Sequence, residues 1–493
     1  MYYRWLREGL RSQPNRPAAG FPEGNKRGAA PAGGLPKLQT IFRRCLAPRA
    51  RGVKHRGEIK IMTMDTRDLR LDGIYPQRQD GFFMQRIKLP AGIISSEQAL
   101  KVAAIADRHA RAVAHLTTRG SIELHWLVEE ELVEVAAQLA SVGLVGRGAC
   151  GGAVRGVVCG SLGAAGTPGL EALSRRIHRH FTGNPRFEKL PKKFKVGIEA
   201  DTASGRHLIQ DLGLVPALSA DGRARFDVWA AGGLGREPSP GFLLARGVLE
   251  ESLLPLMETI MRLYQEKTPF GKRLKHLVRE MGQEEFRTRV LSDPAILEEL
   301  PSAPSLSASL VPVPEGDARR LEAPVFAGEL TSQGLASLAE IAKLHCGGML
   351  MVTGDQNVAM QMKGGSDPAR ALSALGEAGF AGEAPSDRVT FRVCPGNHEC
   401  KAGLAPTREI AGLILAQMGC AARQFSWAVS GCLNCCAQPQ LAQAGVVVSS
   451  LAIEAGVRTP RFDLYRAGTG PFAEAVQRGL TQEALLEAVR FLG

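Results

Sequence analysis

Residues 105–126 read IADRHARAVAHLTTRGSIELHW, and they align without a gap with IAKLHCGGMLMVTGDQNVAMQM at residues 341–362. The two segments start at 105 and 341, so they lie 236 positions apart, and the same register continues to residues 143 and 379. The identical pairs in this register are Ile105 with Ile341, Ala106 with Ala342, His109 with His345, Thr117 with Thr353, Leu139 with Leu375 and Gly143 with Gly379. A constant register over this length indicates an internal duplication, and the alternative is a chance similarity of two ordinary units.

Each copy of the repeat is predicted to form a helix, a strand, a turn, a strand and a second helix. Ser95 and Gln98 have the spacing of a capping box before an apolar helical face. After the turn, Ile122, Leu124 and Trp126 alternate with polar residues, which is typical of a half-buried strand. The sequence therefore predicts an α+β fold with pseudo-twofold symmetry and a site between its two halves. Arg119 of the first copy stands opposite Asp355 of the second, so only one half carries the cation.

The net charge of +12 is concentrated at the start of the chain. Residues 1–60 hold 14 Lys and Arg but only three Glu, and they are rich in Gly and Pro. This composition predicts a disordered basic tail over residues 1–62, or a translation start that lies at Met62 or Met64, or a targeting leader. The remaining chain is nearly neutral, so we expect no nucleic-acid partner.

Apolar runs and cysteine content limit the class of protein further. No apolar run approaches the roughly 20 residues that a membrane-spanning helix needs, so no membrane span is expected. Ten cysteines in 493 residues are too few for a disulfide scaffold. Several of them concentrate between residues 394 and 436, which favours a metal or redox site in a reducing compartment and predicts a cytoplasmic protein.

The concentrated cysteines form two groups with different spacings. FRVCPGNHEC gives a C-x5-C pair, Cys394 and Cys400, and SGCLNCCAQP gives a C-x3-C pair, Cys432 and Cys436, after 31 further residues. Four thiolates on two loops suit an iron-sulfur cluster, because each iron of a cubane takes one soft ligand. A zinc knuckle would pair Cys432 with Cys435, and a thioredoxin-like dithiol would use the same two residues; the upstream spacing and the context favour neither.

The motif C-x5-C followed by S-G-C-x-N-x-C-A-x-P closely resembles the signature of the nitrite and sulfite reductase family, which couples siroheme to a [4Fe-4S] cluster. The resemblance implies that Cys394, Cys400, Cys432 and Cys436 hold the cluster, and that Cys436 also bridges to the siroheme iron. Asn434 belongs to the same motif and is implied in cofactor binding. The family usually has a small residue where Cys435 stands.

Further motifs extend the resemblance over roughly residues 66–490. MQRIKLPAG resembles the strand with a siroheme- and anion-binding arginine, which implies that role for Arg86, and LTTRGSIELHW implies a second for Arg119. LPKKFKVGI resembles the stretch whose lysines face the substrate, here Lys193 and Lys195. Arg155 lies where the family often reads R-N-V, but Gly156 replaces the asparagine. The implied segments are a first ferredoxin-like half-domain at 66–145, a siroheme-binding domain at 146–315, a second half-domain at 316–383 and a [4Fe-4S]/siroheme domain at 384–493.

The resemblance predicts the six-electron reduction of sulfite to sulfide. Lys195 stands where nitrite enzymes of the family tend to have Asn, and His125 where they often have Arg, so sulfite is preferred over nitrite. Three alternatives stay open: nitrite reduction to ammonia, a precorrin monooxygenase-like enzyme of cobalamin synthesis, and a non-catalytic metal-bearing interaction module. No dinucleotide-binding fingerprint is present, so an external ferredoxin or a separate flavoprotein is expected to supply electrons.

Two histidines are further candidates for the site. His125 is predicted either as a core histidine or as a site residue. His398 lies between two cysteines of the first pair and could support them by a hydrogen bond.

Overall fold

The computed structural model describes residues 66–160, 168–217, 222–294, 320–380 and 389–492. The tail predicted at residues 1–62 lies outside these residues, as do the segment boundaries predicted at 315 and 383. Residues Leu69–Gly493 form one compact unit.

The secondary structure falls into four consecutive groups along the chain. The first group contains α1 Thr66–Leu71, β1 Ile74–Pro76, β2 Phe82–Ile87, β3 Ile93–Ser95, α2 Ser96–His109, β4 Val113–Leu116, β5 Ile122–Val128 and α3 Leu132–Ser141. The second contains β6 Val158–Cys159, α4 Pro168–Phe181, β7 Val196–Ile198, β8 Leu212–Ala217, β9 Arg225–Ala230, β10 Phe242–Leu249, α5 Leu253–Lys267, α6 Leu274–Met281 and α7 Gln283–Leu291. The third contains β11 Arg320–Ala323, β12 Glu329–Thr331, α8 Ser332–His345, β13 Met349–Val352, β14 Val358–Gln361 and α9 Pro368–Glu377. The fourth contains β15 Phe391–Val393, α10 Thr407–Gln417, β16 Trp427–Ser430, β17 Ala444–Glu454, β18 Val457–Arg466, β19 Glu474–Leu480 and α11 Gln482–Arg490.

The first and third groups are copies of one another. The bounds of β3, α2 and β4 recur 236 positions later in β12, α8 and β13, and those of α3 recur in α9. The predicted order of helix, strand, turn, strand and helix is present in both copies, and a short strand precedes each. The predicted α+β duplication is confirmed.

The two copies exchange their short strands. Strand β3 pairs with β13 of the second copy, and β12 pairs with β4 of the first, both antiparallel. Ile93 lies opposite Met351, and the symmetry-related pair is Glu329 opposite His115. Each sheet thus contains one strand of the other half, which locks the halves together through backbone hydrogen bonds.

The start of the long helix is set in the same way in both halves. Ser95 accepts a hydrogen bond from the backbone of Gln98, and the Gln98 side chain bonds back, so the predicted capping box forms. In the second half Thr331 caps the helix by accepting from Gly334 N. These caps fix where each exchanged strand ends and each helix begins.

The second and fourth groups form two further sheets with a common topology. Their orders are β10-β9-β8-β7-β6 and β15-β16-β17-β18-β19. In each sheet the first three strands in chain order are parallel and the last two are antiparallel. Each sheet has its own apolar core, and the cores are joined to the repeat by Ala91 and Ala327, which occupy equivalent positions. The duplication therefore extends beyond the segment in which the sequences align.

Within the described residues, no helix combines the length and the apolar character that crossing a membrane requires.

Candidate active site

Both cysteine pairs follow neighbouring parallel strands. Cys394 comes directly after β15, and Cys432 follows β16 by two residues. Because β15 and β16 run parallel, their carboxyl ends meet at one edge of the sheet. The two cysteine pairs, which are separated by 31 residues in the sequence, therefore lie at the same edge of the sheet.

Close backbone packing holds the two cysteine segments against each other. Gly431 N donates a hydrogen bond of 3.1 Å to Cys394 Sγ, and Leu404 N donates one of 2.8 Å to Gly431 O. A side chain at Gly431 would lie 2.9 Å from the Cα of Gly396, so both positions need glycine. The glycines therefore allow the two loops to approach closely.

Cys435 differs from its neighbours in what its thiol contacts. Its backbone is left-handed, with φ of 53°, and the residue is buried. Gln440 Nε2 donates a hydrogen bond of 3.2 Å to its Sγ, and the Sγ lies 3.6 Å from Leu433 O. Cys432 is half-buried and Cys436 is exposed. Cys435 is therefore bonded within the protein, whereas Cys432 and Cys436 are more accessible.

The remaining thiols influence each other electrostatically. Burial raises the pKa of Cys394 above its usual range, and Cys436 and Cys400 raise it further. Burial also raises the pKa of Cys400 and of Cys432, and the charge of Cys436 adds to both shifts. Grouped thiols that resist ionisation on their own suit a cationic metal centre, which stabilises thiolates.

In the part of the chain that the structure describes, no three His, Cys, Asp or Glu side chains converge as ligands of a metal ion. A four-iron cluster distributes its thiolates over four irons, so its ligands need not converge on one point. The donor set fits a cluster.

Arg86 lies on β2 and is paired with an acid. Its Nε donates a hydrogen bond of 2.8 Å to Glu123 Oε1 on β5, and its Nη2 contacts the same oxygen. Burial alone would lower the pKa of Arg86, but Glu123 and the Cys150 thiol raise it above the ordinary value. Its Nη1 lies 3.5 Å from Cys150 Sγ.

Arg119 and Arg155 are bonded to uncharged groups. Arg119 donates to Gln210 Oε1 and to Gly156 O, each at 2.8 Å. Arg155 donates to Gly151 O at 2.8 Å and to Gly148 O at 3.2 Å. Burial and the charge of Arg155 lower the pKa of Arg119 to about 9. Burial and the charge of Arg86 lower the pKa of Arg155 to about 10.

Lys193 and Lys195 lie just before β7. Lys192 between Pro191 and Lys193 is exposed, whereas Lys193 and Lys195 are half-buried, as the alternation predicts. Burial lowers the pKa of Lys193 to about 8, and burial with the Lys193 charge lowers that of Lys195 well below its usual range. Within the described residues, neither ammonium group has a hydrogen-bond partner or an ion pair.

Three of the predicted cations interact electrostatically with Cys436. The Cys436 thiol raises the pKa of Arg86, Lys193 and Lys195, and Arg119 acts on that of Lys195. The structure thus brings together the residues that the sequence singled out, while their individual roles stay predictions. Asn434 lies beside them, exposed, with its amide against the Cys432 thiol.

Lys88 is a buried cation that the sequence analysis did not select. Lys88 is 3% exposed; its Nζ donates to Thr182 Oγ1 at 2.8 Å and to Val154 O at 3.0 Å. Burial and Arg155 lower its pKa to about 7. Lys88 directly follows β2 and lies two residues after Arg86, and this spacing is a signal that could have been used, because alternate residues of an extended segment share a face.

A buried ion pair supports the lysine segment and was likewise missed. Arg273 Nη2 donates to Asp211 Oδ2 at 2.7 Å, and the backbone N of Lys195 donates to the same oxygen at 2.8 Å. Asp211 is fully buried. These partners are 62 residues apart, and no local pattern indicates their contact.

The two histidines differ in their surroundings. His125 is buried, and its Nε2 lies 3.2 Å from Oε2 of Glu123, the acid that holds Arg86. His398 Nε2 instead lies 2.6 Å from Glu409 Oε2 on α10. His125 therefore belongs to the surroundings of the arginine, whereas His398 faces a surface carboxylate.

Five buried or half-buried cations form no ion pair within the described residues. They are Lys88, Arg119, Arg155, Lys193 and Lys195. A buried charge outside an ion pair costs several kcal/mol, so anions are expected to complete this region. A macrocycle with carboxylate groups and a small oxyanion substrate would supply them, and the site fits siroheme on that ground.

The chain matches known proteins along most of its length. The family described as "Nitrite/Sulfite reductase ferredoxin-like half domain" matches residues 75–142, and "Nitrite and sulphite reductase 4Fe-4S domain" matches residues 148–295. The cysteine segments lie after both matches.

Individual relatives agree with these domains. A ferredoxin–nitrite reductase of Synechococcus elongatus is 27% identical over 445 residues, covering 84% of this chain and 86% of that protein. Sulfite reductase [ferredoxin] 2 of Mycolicibacterium paratuberculosis is 27% identical over 427 residues, covering 76% and 74%. The structure of the Mycobacterium tuberculosis NirA protein matches with a TM-score of 0.75 at 20% identity, covering 87% of each chain, which shows a common fold. The chain therefore contains two domains of the nitrite and sulfite reductases, which are oxidoreductases with siroheme and a [4Fe-4S] cluster as cofactors.

Proposed function

We propose that this enzyme reduces sulfite to sulfide. The observation that carries the proposal is the group of cations that form no ion pair in the described residues, two of which, Lys193 and Lys195, interact electrostatically with Cys436. A doubly charged oxyanion compensates more of that charge than a singly charged one. The siroheme iron would bind the substrate and deliver electrons that the cluster supplies, and the protein residues would position the anion and its protons.

Cys394, Cys400, Cys432 and Cys436 are the proposed cluster ligands, with Cys436 as the link to siroheme. The hydrogen-bonded, buried thiol of Cys435 supports its exclusion from this set. Asn434 is proposed to support the second pair through its amide, which opposes the effect of burial on the pKa of Cys432.

Arg86, Arg119 and Arg155 are proposed to bind anionic groups of the cofactor or the substrate. Their guanidinium groups are held in fixed orientations by Glu123, by Gln210 and by backbone carbonyls, respectively. A preorganised cation stabilises developing negative charge without a cost of reorientation during the reaction. Arg86 and Arg119 are the proposed substrate-facing pair.

Lys193 and Lys195 are proposed to bind the substrate anion and to give protons to the oxygens that leave as water. Both have a pKa lowered by burial, and that of Lys193 is about 8. An ammonium group with a pKa near the working pH can bind an anion while charged and still transfer its proton.

Nitrite reduction to ammonia is the second candidate, and the Synechococcus relative, named a nitrite reductase, favours it. Lys195 supports sulfite, since its ammonium adds a further cation where the family's nitrite enzymes tend to have Asn. The electron donor is proposed to be a ferredoxin, because the named relatives of both kinds are ferredoxin enzymes. A separate flavoprotein is the alternative donor.

Spectra and turnover test the proposal together. Anaerobically purified enzyme should show haem-type absorption bands that shift when carbon monoxide is added after reduction. With a chemically reduced donor, kcat/KM should be higher for sulfite than for nitrite, with sulfide as product. A higher kcat/KM for nitrite would show that nitrite is the preferred substrate. Cluster absorption without haem bands in fully loaded protein would favour the precorrin-type alternative.

A further inference from the structure

The turn that carries Arg119 has a copy in the second half. Residues 117–120 correspond to residues 353–356, and Thr117 and Thr353 cap the two turns alike. Thr117 Oγ1 accepts from the backbone N of Arg119 at 3.3 Å, and Thr353 Oγ1 accepts from that of Asp355 at 3.3 Å. The backbone of the turn has thus been kept while three of its four residues differ between the copies.

Asp355, opposite Arg119 in the repeat, binds Arg392. Arg392 Nη1 donates to Asp355 Oδ1 at 2.9 Å, and Arg392 is 3% exposed. Its other nitrogens donate to Ala437 O at 3.1 Å and to Gln438 O at 3.2 Å. Ala437 follows Cys436 directly, so the arginine joins the second-half turn to the second cysteine segment.

Gln356, opposite Gly120, binds the other cysteine segment. Its Oε1 accepts from Val393 N at 2.6 Å, and its Nε2 donates to Val393 O at 3.0 Å and to Leu116 O at 2.6 Å. Val393 precedes Cys394 directly. Gln356 has a φ of 64°, close to the 60° of Gly120, so a non-glycine residue occupies the left-handed position. The amide contacts offset the cost of that backbone conformation.

We propose that Asp355 and Gln356 are positioning residues that clamp the two cysteine segments to each other, through Arg392 and through Val393. The second-half turn would then position the two cysteine segments, while the first-half turn carries the proposed anion-binding Arg119. This inference rests on the proposed ligand set, and it assigns no contact between these residues and the cofactors.

The expected effect depends on how rigidly the two cysteine segments are held. Removing a residue that orients a metal ligand through a hydrogen bond commonly lowers metal affinity or activity by about 10–100-fold. Here Gln356 binds Val393, which precedes Cys394, and Asp355 binds Arg392, which contacts Ala437 after Cys436. Both side chains belong to the same short turn. A shift of the turn would therefore change the separation of Cys394 and Cys436 directly.

The test uses the cofactor-loaded enzyme and three variants. Gln356→Gly restores the residue of the first half, which tolerates the left-handed backbone and removes only the amide contacts. Arg392→Lys keeps the charge but loses the fork that reaches two carbonyls. Arg206→Lys is the matched control, because Arg206 Nη2 binds the same Asp355 oxygen at 2.7 Å but contacts neither cysteine segment in the described residues.

The readouts are the loss of cluster iron to a chelator and the electron paramagnetic resonance signal of cluster–siroheme coupling. Gln356→Gly and Arg392→Lys should lose iron at least tenfold faster than the wild type and show weaker coupling, whereas Arg206→Lys should match the wild type. Wild-type iron retention and coupling in both variants, or equal loss in Arg206→Lys, would overturn the clamp. If Arg392→Lys does not fold, Gln356→Gly and the isosteric Asp355→Asn decide. A wild type without cluster or coupling would instead refute the proposed ligand set.

Discussion

Thr118 donates a hydrogen bond of 2.9 Å from its hydroxyl to the backbone carbonyl of Cys436. A second hydrogen bond joins the same two segments, since Gln438 Nε2 donates to Thr118 O at 3.3 Å. Thr118 precedes Arg119 in the first-half turn. The residue proposed to bind anions and the cysteine proposed to link the cofactors are therefore joined through adjacent backbone.

Replacing Thr118 by Val should weaken this connection while preserving shape. We expect a loss of about 1 to 3 kcal/mol in the free energy of unfolding, because the Cys436 carbonyl loses its donor. We also expect a lower kcat, since Arg119 and Cys436 are no longer held together. Steady-state kinetics and urea unfolding measure the two effects. Thr118→Ser keeps the hydroxyl and should restore most of both; equal loss in the two variants would count against the hydrogen bond.

Serine substitutions separate the two adjacent cysteines. Cys436→Ser should uncouple the cluster from siroheme and abolish turnover, with much of the fold retained. Cys435→Ser should keep iron, sulfide and turnover near the wild-type level, because the Cys435 thiol is hydrogen-bonded to Gln440 within the protein. Iron and sulfide analysis with a turnover assay decides. Retained sulfite reduction in Cys436→Ser would exclude the bridging assignment.

The duplication could be predicted from sequence because both copies kept the register of their apolar residues, from Ile105 and Ile341 onward. The exchange of β3 and β12 could not, since strand pairing depends on contacts over more than 200 residues. Local motifs likewise made the cysteines and Arg119 candidates, because their spacing is visible in the sequence. Asp211 with Arg273, and Asp355 with Arg392, are long-range pairs of common residue types, and only the folded chain shows them.

Asp211→Asn should destabilise the enzyme strongly. Asp211 is fully buried and accepts from Arg273 and from the Lys195 backbone, so neutralising it leaves a buried cation unpaired. Removing one partner of such a pair costs about 3 to 5 kcal/mol. Urea unfolding of the loaded enzyme measures this change.

Asp227→Asn is the control for that experiment, because Asp227 pairs with Arg246 at 3.4 Å and the arginine side chain is 77% exposed. Its cost should stay near or below about 1 kcal/mol. Similar losses in both variants would mean that the buried pair has no special role.

Lys195→Asn should shift the preference from sulfite toward nitrite. The variant removes a cation that has no ion pair in the described part of the chain, so the doubly charged anion loses more binding energy than the singly charged one. The measurement is the ratio of kcat/KM for sulfite to that for nitrite. The exposed neighbour Lys192 supplies the control, Lys192→Asn, for which the ratio should not change. An unchanged ratio in Lys195→Asn would count against sulfite as the preferred substrate.

Lys193 should set an alkaline limit on anion binding. Burial lowers its pKa to about 8, an effect that Cys436 opposes and Arg273 and Arg155 strengthen. The ammonium is therefore charged below about pH 8 and loses its proton above it, so kcat/KM for nitrite should fall as the pH rises through this value. Nitrite suits the assay because its own charge is constant in this range. Lys193→Arg should move the fall to higher pH, since a guanidinium keeps its proton to above about pH 12. A profile with the same alkaline limit in both enzymes would show that a different group controls it.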